Sequence, residues 1–225
     1  ALGISDLAAI GELCEARGVM LACDNTFATP ILQKPLALGA GLVVHSTTKY
    51  IGGHSDLLGG AVVAADPGKC LDDVDRFRTR AGASPSAFDC WLLTRSLPTL
   101  PWRVRAQSEH AARIANFLAD HPGVAEVMYP GLEDHPGHAV AARQMSGFGA
   151  MLAFRVAAGR RAAMGVTERT RLFTRATSLG GVESLIEHRA SVEGPDSGIP
   201  EDLLRLSVGL EHPDDLVADL AAALG

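Results

Sequence analysis

The sequence predicts an α/β fold, because continuous apolar runs end abruptly on ionisable or hydroxyl residues and helix-period stretches lie between them. A run that is apolar at every position suits a strand covered on both faces, as in a parallel sheet, whereas a strand with one wet face alternates. The run Val19-Met20-Leu21-Ala22-Cys23 stops at Asp24, and Gly41-Leu42-Val43-Val44-His45 stops at Ser46-Thr47-Thr48-Lys49. A third, Gly59-Gly60-Ala61-Val62-Val63-Ala64-Ala65, stops at Asp66-Pro67.

Ahead of the first run, Ser5 is placed to cap a helix reaching about Arg17, with Gly18 as its stop, since glycine takes the left-handed conformation that ends helices. A short helix over residues 31–38 joins the first two runs. Residues 72–97 read as helical, with a break at Gly82-Ala83-Ser84-Pro85-Ser86. Pro101 opens a long amphipathic helix: Val104, Ala111, Ile114, Phe117 and Leu118 share one stripe, while Arg105, Glu109 and Arg113 lie mainly on other faces. His121-Pro122-Gly123 ends it. Beyond, strand-like runs at 124–129, 149–156, 174–179 and 203–208 alternate with helical stretches at 138–145, 160–170 and 214–224. That alternation predicts a small α/β sandwich with helices on one face. The chain divides accordingly into residues 1–100, a bridging helix at 101–120 and a second unit at 121–225.

The 225 residues are 47% hydrophobic and 20% charged, with a formal net charge of −6. A strong nucleic-acid binder carries a basic surplus, so that class is set aside. Apolar runs are short and broken by Gly, Pro or charge, which leaves no membrane-spanning segment. Residues 1–10 read as a helix start carrying Asp6 rather than as a signal peptide. Cys14, Cys23, Cys70 and Cys90 show no CxxC and no ligand-like pairing, so free thiols in a reducing cytoplasm are expected.

Open α/β sheets place their chemistry in crevices outside the carboxyl ends of strands. Two such ends here carry ionisable groups, Asp24 and the segment Ser46-Thr47-Thr48-Lys49. An aspartate there can neutralise a protonated pyridine nitrogen, a lysine can form an imine with an aldehyde cofactor, and clustered hydroxyls can bind a phosphate. Taken singly, each has a plainer reading: a turn-forming aspartate, a solvated lysine, ordinary hydroxyl turn chemistry. Their combination is what separates the two.

Asp24-Asn25-Thr26-Phe27 followed by Pro30, then Lys34-Pro35-Leu36-Ala37-Leu38-Gly39-Ala40, then His45-Ser46-Thr47-Thr48-Lys49-Tyr50-Ile51-Gly52-Gly53-His54-Ser55-Asp56 resemble the pyridoxal-phosphate (PLP) attachment signature of the Cys/Met-metabolism enzymes. That family includes cystathionine γ-synthases, γ-lyases and β-lyases, methionine γ-lyases and homoserine-ester sulfhydrylases. The resemblance continues through Tyr129-Pro130-Gly131-Leu132 with His135, Pro136 and His138. It then takes in Ser178-Leu179-Gly180-Gly181-Val182-Glu183-Ser184-Leu185-Ile186 and Leu204-Arg205-Leu206-Ser207-Val208-Gly209-Leu210-Glu211, and so covers essentially the whole chain.

The resemblance implies a fold-type I PLP-dependent enzyme. Residues 1–100 would be the C-terminal part of its large, PLP-binding domain with a parallel-sheet core, and residues 121–225 its small C-terminal α/β domain. Lys49 is implied to hold the cofactor as an imine and then to move protons between substrate carbons. Asp24 is implied to pair with the pyridine nitrogen, and Ser46 and Thr48 to bond the phosphate. Arg205 would make a two-pronged pair with the substrate α-carboxylate, a task suited to a planar guanidinium, and Ser178 would help to orient that carboxylate. Independently, an arginine between Leu204 and Leu206 in an apolar strand needs an anion or an exit to solvent. His45, His54 and His188 are given no acid–base role. His135 and His138 lack the partners of a metal site, so no metal is expected.

The sequence departs from the family pattern in three places. Thr177 precedes Ser178 where cystathionine γ-synthases and γ-lyases carry glutamate, methionine γ-lyases an apolar residue and β-lyases a tyrosine; threonine cannot supply a charge to the far amino group of cystathionine. Glu187-His188-Arg189-Ala190-Ser191-Val192-Glu193-Gly194 stands where many relatives have His-Pro and then Met-Thr-His, so Arg189 and Glu193 add charge near the site mouth. Family members are longer, and this chain begins near their middle. It therefore reads as N-terminally truncated, without the phosphate-binding glycine turn, the ring-stacking tyrosine and the arm that reaches a neighbouring subunit. The expected function is PLP-dependent γ-elimination or γ-replacement on a small amino-acid substrate, cystathionine or an O-acyl-homoserine, by a homotetramer. Methionine γ-lyase or homoserine-ester sulfhydrylase activity is one alternative, and an inactive scaffold or partner-binding chain the other.

Overall fold

A computed structural model describes residues 2–66 and 68–225. Ala1, at the start of the first predicted helix, and Pro67, the predicted stop of the third strand, lie outside the described residues. Asp6, not Ser5, caps α1 (Leu7–Ala16): its Oδ1 accepts from the Ala9 amide at 3.2 Å, while the Ser5 carbonyl is taken by Gln144. Gly18, at φ 63°, closes the helix. β1 (Ala22–Asp24) is shorter than the apolar run that contains it. Val19 and Met20, ahead of it, are 58% and 55% exposed, and Ala22 and Asp24 within it are exposed as well, so the run is not covered on both faces as its composition predicts. It lies at the edge of a sheet ordered β1-β2-β3.

Where the sequence predicts one helix over residues 31–38 there are two short turns, α2 (Thr29–Leu32) and a 3₁₀ turn at Pro35–Leu38. Pro35 is the cause: it has no amide to donate, and it pushes Lys34 out of helical geometry to φ −121°, ψ 79°. β2 (Leu42–Ser46) runs parallel to β1, with Asp24 opposite Val44. A single π-helical turn, Thr47–Ile51, follows directly, and within it Lys49 departs to φ −87°, ψ −132°. β3 (Gly60–Ala64) returns antiparallel to β2, Ser46 facing Gly60, so this sheet is mixed and not wholly parallel. A parallel neighbour requires a crossover over the sheet face, and the segment between β2 and β3 instead turns back at the carboxyl end of β2.

α3 (Lys69–Ala81) and α4 (Ala87–Ser96) flank the predicted break, with Gly82 at φ 69° ending one and Ser86 capping the other through the Asp89 amide at 3.0 Å. α5 (Leu100–Ala119) buries Val104, Ala111, Ile114 and Leu118 as its stripe predicts. The remainder comprises β4 (Val124–Met128), α6 (His138–Gln144), β5 (Met151–Val156), α7 (Gly159–Arg169), β6 (Thr174–Arg175), β7 (Leu185–His188), α8 (Arg189–Glu193), β8 (Leu203–Ser207) and α9 (Pro213–Leu224). Its sheet is ordered β4-β5-β8-β7-β6, and α5, α7 and α9 pack together against it over Leu152, Phe154, Leu204, Leu206, Leu216 and Leu220.

Three further elements differ from the sequence reading. The strand predicted over 174–179 stops after Arg175, because the turn through Ser178 (φ 83°) and Gly180 (φ 78°) cannot be extended chain. β7 and α8 have no counterpart in it: the charged Glu187 and the polar His188 mask a strand that is buried at all four positions. Among the described residues no helix is long and apolar enough to cross a membrane.

The two sheets are joined through α5. Arg103, nearly fully buried, donates to the carbonyls of Tyr50 (2.7 Å), Ile51 (3.3 Å) and Ser96 (3.2 Å) and to Thr99 Oγ1 (3.1 Å). One turn later Gln107 Nε2 donates to the carbonyls of Gly181 (2.6 Å) and Val208 (3.1 Å). The Val182 amide meets the Gly53 carbonyl at 3.0 Å. At this seam a Cβ on Gly180 would lie 2.7 Å from the Tyr50 amide nitrogen. Gly180→Ala should therefore lower stability by about 1–3 kcal/mol, through the clash and the left-handed backbone together. An unchanged urea midpoint would contradict this packing.

Candidate active site

The parallel pairing of β1 and β2 sets their carboxyl ends side by side, and local hydrogen bonds lock them. Asp24 Oδ1 accepts from the Thr26 amide at 2.9 Å, and Thr26 Oγ1 accepts from the Ser46 amide at 2.8 Å. Behind them Asn25 Nδ2 donates to the carbonyls of Thr29 (3.0 Å) and Gln33 (3.1 Å), and Gln33 Nε2 returns a bond to Asn25 Oδ1 at 2.8 Å. Asp24 stays exposed, with its carboxylate at the strand tip. Thr48 Oγ1 accepts from the Gly59 amide at 3.0 Å; as a donor it has, among the described residues, the Gly59 carbonyl alone at 3.4 Å.

Lys49 reaches across to the second sheet, where its Nζ donates to Ser178 Oγ at 2.8 Å. The Ser178 carbonyl in turn accepts from Arg205 Nη2 at 2.9 Å. Lys49, Ser178 and Arg205, separated by more than 100 residues from first to last, thus form one connected chain. Ser178 adopts its bend with a positive φ that a non-glycine residue rarely takes, and the loop is pinned just beyond by the Gly180 amide on Ser207 Oγ at 2.8 Å. Thr177 is exposed on the wall of a cleft of about 740 Å³ that Thr48, Ser55, Asp56, Ser178 and Glu183 also line. Among the described residues Asp24 makes no hydrogen bond to Lys49, Ser178 or Arg205.

Several residues to which the sequence reading gives no role hold this arrangement: Asn25, Thr26 and Gln33 behind the strand ends, Arg103 and Gln107 on α5, and Glu187 on β7. Glu187 is paired with both Arg205 and Arg189. Burial draws the Arg205 pKa below its usual value; Glu187 opposes that shift and Arg189 adds to it. Tyr50 is wholly buried, with no partner for its hydroxyl among the described residues, and burial pushes its pKa well up. His45 is buried under the strand end with Nδ1 unpartnered among the described residues. Burial lowers the His45 pKa, against the attraction of Asp24. Among the described residues no group of His, Cys, Asp and Glu is arranged to hold a metal ion.

An amine, a carboxylate and hydroxyls gathered at strand ends define a class of cofactor-dependent α/β enzymes, and the comparisons name it. A family profile for Cys/Met metabolism PLP-dependent enzymes matches residues 1–225, and the chain belongs to that family. It is 54% identical over 230 residues to cystathionine gamma-synthase of Mycobacterium tuberculosis (strain ATCC 25618 / H37Rv), covering 100% of this chain and 59% of that protein. It matches cystathionine gamma synthase from Xanthomonas oryzae pv. oryzae, solved in complex with aminoacrylate and cysteine, with a TM-score of 0.95 and 47% identity over 99% of this chain and 59% of that one. Apo CalE6, a methionine gamma lyase from Micromonospora echinospora, matches with a TM-score of 0.95 and 46% identity over 100% and 60%. The chain thus spans about 59% of the length of such curated relatives.

The buried histidine makes a stability prediction. Unfolding returns His45 to water, where it takes up a proton below about pH 6.5, its ordinary pKa. The unfolded state then binds more protons than the folded one, so stability falls as pH drops through that value. His45→Asn should give a shallower fall between pH 7 and pH 5 in urea titrations; a slope equal to that of the parent protein would assign the titration to other groups.

Proposed function

We propose that the protein carries out PLP-dependent γ-elimination or γ-replacement on cystathionine or an O-acyl-homoserine. The observation that carries this reading is the connection Lys49–Ser178–Arg205, which joins the strand end beside Asp24 to a half-buried guanidinium. The similarity to the cystathionine gamma-synthases of Mycobacterium tuberculosis and Xanthomonas oryzae supports it.

The residues present fit a pyridoxal phosphate by the chemistry of their donor set. Lys49 offers an amine to the aldehyde, Asp24 a carboxylate to the ring nitrogen, and Ser46 and Thr48 hydroxyls to the phosphate. The Thr48 hydroxyl is short of a good acceptor, with only a 3.4 Å contact as donor. When bound, the cofactor supplies an electron sink that stabilises negative charge at the substrate α-carbon. The remaining work falls to the chain. Arg205 holds the α-carboxylate, fixing which substrate bond faces the reacting centre. Lys49 Nζ takes the proton from Cα and returns protons to the substrate carbons. Ser178 Oγ, accepting from Nζ, parks the amine between these transfers.

The second reading is methionine γ-lyase or homoserine-ester sulfhydrylase activity. Thr177 favours it, because the cleft wall there carries a neutral hydroxyl in place of a carboxylate. We also infer that residues 1–100 and 121–225 serve as cofactor-binding and small domains bridged by α5, and that the protein is a cytoplasmic homotetramer. Exposed Phe77, Phe88, Trp91 and Trp102 support assembly, since large apolar groups of that kind mark contact surfaces.

With added PLP, the purified protein should develop the visible absorbance band of a lysine-bound pyridoxal. Borohydride reduction or Lys49→Ala should remove it, and no band in the unaltered protein would end the catalytic reading. Product analysis with cystathionine, O-succinylhomoserine and methionine then selects the substrate. Arg205→Ala should raise KM by about 100-fold, the cost of removing a buried charged partner, while sparing the band. Loss of the band in that variant would mean the arginine serves the cofactor instead.

A further inference from the structure

Arg205 is held as well as holding. Glu187 on β7 faces it directly across the antiparallel pairing with β8, and its Oε2 accepts from Arg205 Nη2. The same Nη2 donates to the Ser178 carbonyl at 2.9 Å. The other oxygen of Glu187 takes Arg189 Nη1 at 2.5 Å, and Arg189 Nη2 reaches Glu193. Side-chain exposure runs from 15% at Arg205 through 3% at Glu187 and 21% at Arg189 to 42% at Glu193. Charges of alternating sign therefore lead from the buried strand to the surface.

A carboxylate buried this deeply persists only if it is paired, and here each oxygen has its own arginine. The benefit to Arg205 is geometric. A guanidinium aims its N–H groups at a carboxylate only when its plane is set. Both hydrogens of Nη2 are committed, one to a backbone carbonyl and one to Glu187, which fixes the plane. Nε and Nη1 have no protein partner among the described residues; they diverge about the plane, so while Nη2 is held in this way an incoming carboxylate is met by a single prong and not by the two-pronged pair that the resemblance implies. We propose that Glu187 is a positioning residue for Arg205, with Arg189 anchoring its second oxygen, so that amino-acid affinity depends on a charge that never touches the substrate. This rests on the reading of Arg205 as the carboxylate binder.

The test is Glu187→Gln, which keeps size and one acceptor but removes the charge, with Glu187→Asp and Arg205→Ala alongside. Binding of norvaline, an amino acid with no γ leaving group, is measured by calorimetry on the cofactor-loaded protein, together with KM, kcat and the thermal midpoint. Glu187→Gln should weaken norvaline binding and raise KM by roughly 10- to 100-fold, the range for a hydrogen bond to a charged group, with kcat nearly unchanged. Glu187→Asp should recover part of the loss, and in the Arg205→Ala background Glu187→Gln should add nothing. Butylamine, which has no carboxylate, should bind the parent and Glu187→Gln alike. If Glu187→Gln does not fold, Glu187→Asp decides: several-fold weaker norvaline binding supports the proposal and equal binding overturns it. Unchanged or tighter binding in Glu187→Gln, with binding lost in Arg205→Ala, overturns the role of Glu187 and leaves Arg205 standing. Norvaline binding retained in Arg205→Ala would instead remove the carboxylate assignment beneath it.

Discussion

One buried guanidinium carries the geometry on which the rest depends. The π-helical turn containing Lys49 ends on the carbonyls of Tyr50 and Ile51, which no residue of that turn can satisfy. Arg103, from the first turn of α5, takes both and adds the Ser96 carbonyl and Thr99 Oγ1. Each buried acceptor left unpaired costs about 1–3 kcal/mol, so without this fork the turn would relax toward water. A lysine could offer three hydrogens from a single nitrogen, but not spread them over a rigid plane. Gln107, four residues on and so on the same helix face, treats the opposite side of the site in the same way through Gly181 and Val208. A single helix face thereby fixes the distance between the lysine turn and the loop that carries Ser178.

With both sides held, backbone strain becomes tolerable where the chemistry lies. Lys49 breaks helical geometry, and Ser55 and Ser178 take positive φ without being glycine. Conformations of this kind survive only where surrounding contacts over-determine them. Ser178 is such a place: its hydroxyl is fixed by Lys49, its carbonyl by Arg205, and the following loop by Ser207. Ser55, for its part, is held by Glu183 from the same loop region. Strain at Lys49, Ser55 and Ser178 thus lies along the seam between the two sheets, whereas Thr29, at φ 60°, takes its positive φ at the start of α2.

Electrostatics follow the same division. On the first sheet the ionisable groups stand at strand tips, where Asp24 is open to solvent and, among the described residues, is hydrogen-bonded by the Thr26 amide alone. On the second they are drawn inside, and Arg205 is compatible with its strand only because Glu187 lies opposite it. The first arrangement leaves a charge free to meet a ligand. The second spends one charge to aim another.

Much of this was legible from local pattern. The buried stripe of α5, the strand ends at Asp24 and Ser46, and the ordered motif around Lys49 are all encoded within a few residues of themselves, by periodicity, by caps and by strand-end chemistry. What local pattern cannot encode is who meets whom. Val19 and Met20 read as buried but stand exposed ahead of an edge strand; β3 reads as another parallel strand but returns antiparallel; and Glu187 hides β7 because Arg205, the arginine opposite it, lies 18 residues on in another strand. Arg103 carries no local signal of its role, since the two carbonyls it takes from the lysine turn are more than 50 residues away. The sequence by itself determined which groups the site contains and which segments carry them. Only the tertiary structure decided how they are aimed, because a buried charge is stable only beside partners that the fold brings to it.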